Sequence, residues 1–142
     1  MIYNTSKRFL PIYRQEITPP TPAVVPLTFI AKGNSTNAVQ LQKFSTPSTI
    51  TLQYSKNGGE WTDYTIGNII TLNKNETVAF SGNNDHFSLH FTGISNKYYR
   101  FNMSGSIEAS GNIMSLMNFS DTCTSACFTY LFSGCASLIT PP

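Results

Sequence analysis

Charge is what this sequence has least of. Asp, Glu, Lys and Arg make up 11% of its 142 residues, against roughly 25% in an ordinary soluble domain. Of its nine basic residues only Lys7, Arg8 and Arg14 stand close together. A nucleic-acid binder concentrates its basic residues on one face, so nucleic acid is not an expected partner. No apolar run approaches the roughly 20 residues a membrane-spanning helix needs, and membrane insertion is not expected. The opening "MIYNTSKRFLPIYRQEITPP" lacks the unbroken apolar stretch of a signal peptide. Export by the general secretory route is therefore not expected either.

Catalytic and cofactor signatures are also missing. There is no G-x-S-x-G, no phosphate-binding loop and no dinucleotide fingerprint. The acids Glu16, Glu60, Asp63, Glu76, Asp85, Glu108 and Asp121 are scattered, whereas a catalytic site needs a nucleophile, a base and an orienting group that converge. An enzyme is not expected, nor is a cofactor. Cysteine is scarce: Cys123, Cys127 and Cys135 follow a C-x3-C-x7-C spacing. Structural zinc takes four ligands, and the fourth would have to come from His86 or His90, several strands upstream. Without a C-x-x-C pair a redox motif is absent. A Cys127–Cys135 bridge is conceivable, but with no export signal the three are expected as mostly free thiols, small apolar residues without a metal.

Hydrophobic residues reach 40% and aromatics 13%, enough for one core. Ser, Thr and Asn supply the polarity. Short runs rich in β-branched and aromatic residues recur from Leu27 to about Ala109: "LTFIA", "AVQLQKF", "ITLQYS", "WTDYT", "IITL", "TVAFSG", "FSLHF" and "YYRFNMSG". Several alternate with the period of two that marks a half-buried strand, and turn clusters separate them. The fold class is all-β: an antiparallel sandwich, immunoglobulin-like or a small barrel, over residues 27–109. In "YSKNGGEWTDY", Asn57, Gly58 and Gly59 can adopt positive φ and reverse the chain into a hairpin. That hairpin sets Tyr54 near Trp61 and Tyr64, with Trp61 expected near the core.

The two ends read differently. Residues 1–26 show no period, and "ITPPTPAVVP" carries four prolines in ten residues, the composition of an extended spacer. Before it lie Ile2, Tyr3, Phe9, Leu10, Ile12 and Tyr13 among basic residues. Two readings stand for that segment: a loose terminus on its own domain, or a peptide that orders on a partner. At the other end, "CFTYLFSG" places Phe128, Leu131 and Phe132 at helical spacing and closes on Gly134, and "ASLITPP" reads as a strand stopped by proline. A helix-turn-strand unit over residues 110–142 is expected.

The stretch "SGSIEASGNIMSLMNFSDTCTSACFTYLFSGCASLITPP" resembles the start of the leucine-rich-repeat array in surface proteins of gut Bacteroidota and of their phages, the crAss-like phages among them. In these, units like "CFxxLFxxCxSLxxxP" recur, and "YSKNGGEWTDYTIGNIITL" resembles the β-domain that precedes them. The resemblance implies that Cys127, Phe128, Leu131, Phe132, Cys135 and Leu138 are repeat-core positions, and that no residue is catalytic. Such arrays stack roughly three or more units; one is present in this sequence. Combined with the missing leader, the resemblance implies a phage virion component, a fibre or decoration protein. Residues 1–20 would dock on other virion subunits, several copies would form a homo-oligomer, and the repeat end would face host glycans or surface proteins. The alternatives are a bacterial cell-surface adhesin without its leader and a purely architectural virion protein.

Overall fold

A computed structural model of the chain describes residues 23–45, 47, 49–85, 87, 97–123 and 127–142. Among these residues nine strands dominate the regular structure: β1 (Leu27–Ala31), β2 (Asn37–Phe44), β3 (Leu52–Lys56), β4 (Thr62–Asp63), β5 (Ile69–Leu72), β6 (Thr77–Gly82), β7 (Tyr98–Ser104), β8 (Ile107–Ser110) and β9 (Leu138–Thr140). A 3-10 helix, Ile113–Met117, lies between β8 and β9. The strands form a six-stranded sheet, β4-β3-β6-β1-β8-β9, and a three-stranded sheet, β5-β2-β7. Every pairing between these nine strands is antiparallel except β8 with β9. The two sheets are separate, with β4 and β9 ending one and β5 and β7 the other. The fold is all-β and sandwich-like, and the small-barrel alternative does not hold.

Alternation in the sequence becomes the two faces of each sheet. In β1, Leu27, Phe29 and Ala31 are fully buried, and Val39 and Leu41 do the same in β2. From β6 come Val78 and Phe80, and from β7 Tyr99, Phe101 and Met103. Phe29 and Phe80 of the larger sheet meet Phe101 of the smaller one, with ring centroids 4.8 and 5.3 Å apart. These rings join the sheets through a shared core. Each fully buried ring of this kind contributes roughly 1.5–3 kcal/mol through the apolar area it removes from water.

The expected hairpin forms between β3 and β4. Asn57 and Gly58 both take positive φ, 53° and 69°, and the Gly59 N–H donates to the Lys56 carbonyl at 3.0 Å. That is a type I′ turn, whose twist matches the flanking strands. Gly59 itself stays outside the positive region. Tyr54 and Tyr64 meet edge to face at 6.0 Å, but Trp61 is 43% exposed, which corrects its expected place near the core. The reason lies in the register. Strand β4 is two residues long at the edge of its sheet, and Trp61 falls just before it. The buried aromatic position goes instead to Tyr64, whose ring packs on Phe80 at 5.4 Å. Its hydroxyl donates to the Asn68 carbonyl and accepts the Leu41 N–H at 2.9 Å. The phenol thus completes the β2 ladder where β5 runs out at the Gln40–Ile69 pair.

Asn37, the first residue of β2, is fully buried. Its amide N–H groups donate to the carbonyls of Gly33 (3.1 Å) and Ser35 (2.8 Å), and its amide oxygen accepts the Ser106 N–H at 3.0 Å. One side chain therefore ties the β1–β2 turn to the β7–β8 turn. Gly105, with φ at 85°, and Gly33 give it room, since a Cβ at either would run into the amide. Replacing Asn37 with Ala leaves these backbone groups without their partner at a buried site, a cost of about 1–3 kcal/mol. Phe29→Ala, which empties the centre of the shared core, should cost more, about 3–5 kcal/mol. Urea unfolding followed by tryptophan fluorescence will check both, and equal midpoints for the two variants would contradict this ordering.

Candidate binding surface

The six apolar positions expected to dock on a partner, Ile2, Tyr3, Phe9, Leu10, Ile12 and Tyr13, lie outside the described residues, as do His86 and His90. The repeat-core positions lie within them. Cys127 and Leu131 are buried, and Phe128, Phe132, Cys135 and Leu138 are partly buried against the shared core. Phe132 stacks on Phe101 at 5.8 Å and meets Phe29 edge to face at 6.3 Å, while Phe128 sits 6.0 Å from Phe87. The backbone is tied as well. The Phe101 N–H donates to the Leu131 carbonyl at 2.8 Å, the Phe87 N–H to Cys127 at 3.1 Å, and the Ile107 N–H to Ser137 at 2.8 Å. The unit thus lies against β7 and then enters the larger sheet as β9.

The helix expected over Cys127–Gly134 is replaced by a run of turns. The backbone shows why. Tyr130 has φ at 60°, a left-handed conformation that ends a right-handed helix, and Gly134 follows at 72°. Leu131, Ser133 and Cys135 donate to carbonyls three residues back, and the Leu131 carbonyl is given to β7. Apolar spacing alone placed the right residues on the core, because three- and four-residue intervals suit successive turns as well as a helix.

Two of the three cysteines are bonded to one another. Cys123 and Cys127 form a disulfide, with Cα atoms 6.3 Å apart, which corrects the expectation of mostly free thiols. Cys135, the partner first considered for Cys127, is free. Its Sγ–H donates instead to the Phe101 carbonyl at 2.8 Å. Burial pushes the Cys135 thiol up from its usual ionisation range, and the nearby Arg100 charge opposes this in part. Among the described residues no group of three His, Cys, Asp or Glu side chains is placed to hold a metal ion.

Several acids serve the scaffold. Glu76 accepts the Asn73 N–H, pairs with Lys56 at 3.0 Å and takes a bond from Asn57. The Asn73 N–H first, then the Lys56 and Asn57 hydrogen bonds, lower its carboxyl pKa. Glu108 pairs with Lys32 at 3.1 Å. Asn84, in the turn after β6, spends its amide on Thr51 N–H and C=O and on the Leu116 carbonyl, each at 2.9 Å. It is a structural clamp. A cleft of about 570 Å³ opens beside it between β3, Asp63 and β6, where Gln53 donates to Asp63 at 2.9 Å.

The outward face of the three-stranded sheet is the more distinctive surface. Cross-strand pairs Phe44–Tyr98, Gln42–Arg100 and Gln40–Asn102 lie in successive rows on it. Phe44 and Tyr98 stack at 4.8 Å and 15°, the Arg100 guanidinium lies 4.4 Å from the Phe44 ring centre, and Tyr130 packs on Tyr98 at 4.9 Å. Tyr130 is 46% exposed. Gln42 donates to the Gln40 side-chain oxygen at 2.8 Å, and Gln40 donates to the Gly67 carbonyl. Sequence reading did not find this face, since its residues come from β2, β7 and the closing turns. The period-two alternation of "AVQLQKF" and "YYRFNMSG" was the available signal: it separates Gln40, Gln42 and Phe44 from Val39 and Leu41, and Tyr98 and Arg100 from Tyr99 and Phe101.

Comparison with protein-family models, curated proteins and solved structures finds no match. Function is therefore argued from the surface itself.

The cysteine pattern gives a direct check. Non-reducing peptide mapping should recover Cys123 linked to Cys127, and Cys135 as the alkylated residue. Because the folded thiol is held protonated, its alkylation rate should rise at higher pH than that of the urea-unfolded chain. The same shift makes the thiol's contribution to stability complete below the unfolded-state pKa and lost as pH rises through the folded one. Coincident rate–pH profiles for folded and unfolded protein would contradict this.

Proposed function

We propose that the chain is a structural protein of a phage virion, a fibre or decoration component that displays a binding surface to the host. In this reading residues 1–20 dock on other virion subunits, the proline-rich stretch spaces the β-domain from them, and several copies on one particle add avidity. The domain is read as an immunoglobulin-like sandwich carrying the first unit of a repeat array.

The observation that carries the reading is the way the repeat-like unit is built into the β-domain. Its side chains complete the shared core, and β9 extends the larger sheet in parallel as its terminal strand. Parallel addition of one short strand per unit is how a solenoid grows from a folded base. A rigid domain fused to such a unit suits display more than turnover of a substrate. A second reading, a bacterial cell-surface adhesin, is favoured by the Cys123–Cys127 disulfide, since such bonds persist in oxidising surroundings. The two readings share the displayed domain and differ in what residues 1–20 meet.

Deleting residues 1–20 separates them. On the virion reading the shortened chain is soluble, keeps a β-type dichroism spectrum and is absent from purified particles by mass spectrometry. Incorporation of the shortened chain at wild-type occupancy would remove the docking role, and absence of the full chain itself from purified particles would leave the adhesin as the better account.

A further inference from the structure

The outward face of the β5-β2-β7 sheet has the chemistry of a glycan site, and we infer that it binds a glycan chain containing an acidic sugar. The inference rests on the attachment reading above and assigns it a place and a ligand class. Sugars present two surfaces. The C–H face of a pyranose ring is apolar and packs on an aromatic ring, whose face carries the negative part of its quadrupole. The ring's rim of hydroxyls both donates and accepts, and so does a side-chain amide.

Both kinds of partner occur here in one row after another. Tyr130 offers its exposed ring beside β7, backed by Tyr98 at 4.9 Å, which is in turn stacked on Phe44 at 4.8 Å. A ring held this way loses little freedom when a sugar seats on it. Next along the strands stands Arg100, over Phe44. Beyond it Gln42, Gln40 and Asn102 form an amide cluster, with Gln42 bonded to Gln40 at 2.8 Å and Asn102 at 3.5 Å from the same oxygen. Each donor amide uses one N–H within the cluster and keeps a second, together with its own carbonyl oxygen, for a hydroxyl. On the other side of β2 a cleft of about 420 Å³ opens between Gln42, Lys43, Phe44 and the Ile66–Gly67 turn. That is the size range of small-ligand clefts.

Charge selects among glycans. By register the outward positions of this sheet are Ile69 and Thr71 on β5, the even-numbered residues of β2, and Tyr98, Arg100, Asn102 and Ser104 on β7. Among these described residues there is a guanidinium and no carboxylate. The planar fork of Arg100 matches a sugar carboxylate, and Lys43 at the cleft adds a second positive charge. Tyr130 also holds a positive φ of 60°, unusual for a bulky residue, and this conformation faces its ring outward while Leu131 turns into the core.

Affinity electrophoresis of the full chain tests the site, with gels containing hyaluronan, polygalacturonate or sialylated mucin as acidic probes and mixed-linkage glucan as the neutral one. Retardation is expected in at least one acidic gel and not in glucan alone. Tyr130→Asn, which keeps a residue tolerant of positive φ, and Arg100→Gln should each weaken it about tenfold, with unchanged urea midpoints. Trp61→Ala, on the other sheet, should leave it intact. Four results would overturn the inference: no retardation in any acidic gel, retardation by glucan alone, retardation unaltered in the Tyr130 and Arg100 variants, or loss in the Trp61 variant. Failure here with particles that still bind host cells would remove this face and spare the attachment reading. Loss of the docking role of residues 1–20 with intact retardation would do the reverse.

Discussion

Phe29 is the contact on which the rest of the molecule depends. It sits mid-strand in β1, fully buried, and meets Phe80 within its own sheet, Phe101 across the interface and Phe132 from the closing turns. Two sheets and the C-terminal unit are therefore held by one ring. A half-buried strand can bury only one face, so each sheet needs a partner. The smaller sheet, three strands wide, cannot cover the larger one alone. Phe128, Leu131 and Phe132 extend the cover past β7, which is why the closing residues belong to the core of the β-domain.

Burial on this scale creates a second demand, because backbone groups at strand ends enter the interior without ladder partners. Three polar side chains meet it. Tyr64 accepts the Leu41 N–H beyond the end of β5. Asn37 binds both adjoining turns. Ser115, fully buried in the 3-10 helix, accepts the Leu27 N–H at 2.9 Å and donates to the Phe80 carbonyl at 2.8 Å. Asn112 caps that helix by accepting the Met114 N–H, and Asn118 closes it in the left-handed region with φ at 52°. The abundance of Asn, Ser and Tyr in a chain poor in charge thus has a structural use: neutral groups satisfy buried backbone without the desolvation cost of an ion.

The strands were legible because alternation is a local property. "IITL" and "TVAFSG" match β5 and β6 to the residue, and "KNGG" announced its turn through the φ values that Asn and Gly tolerate. What escaped was set by partners distant in sequence. Strand β8, "IEAS", has one β-branched residue and no aromatic, too weak a signal by composition, and exists because β1 and β9 flank it. Trp61 was expected near the core beside Tyr54 and Tyr64, yet its place was decided by where β4 begins. The tail's helical spacing was real, but Tyr130 broke the helix and Leu131 gave its carbonyl to β7. The disulfide was missed because the cysteines were judged by cellular compartment, while the chain brings Cys123 beside Cys127 and turns Cys135 toward Phe101. The outward face of β2 and β7 escaped because its rows exist only once those two strands are in register.

That register also explains how one short unit serves both sides of the sheet. Between Phe128 and Phe132 the chain passes alongside β7, with Leu131 packed inward and Tyr130 turned out onto Tyr98. The Phe101 N–H fixes the crossing through the Leu131 carbonyl, and the Cys135 thiol grips the carbonyl of the same residue. Arg100 and Asn102, the neighbours of Phe101, point the opposite way by the pleat. A shift of one residue in the tail would bring Tyr130 toward the core and take Leu131 out of it. Core packing therefore sets the position of the exposed Tyr130 ring and the aromatic row behind it, which are held in place by residues that never reach solvent.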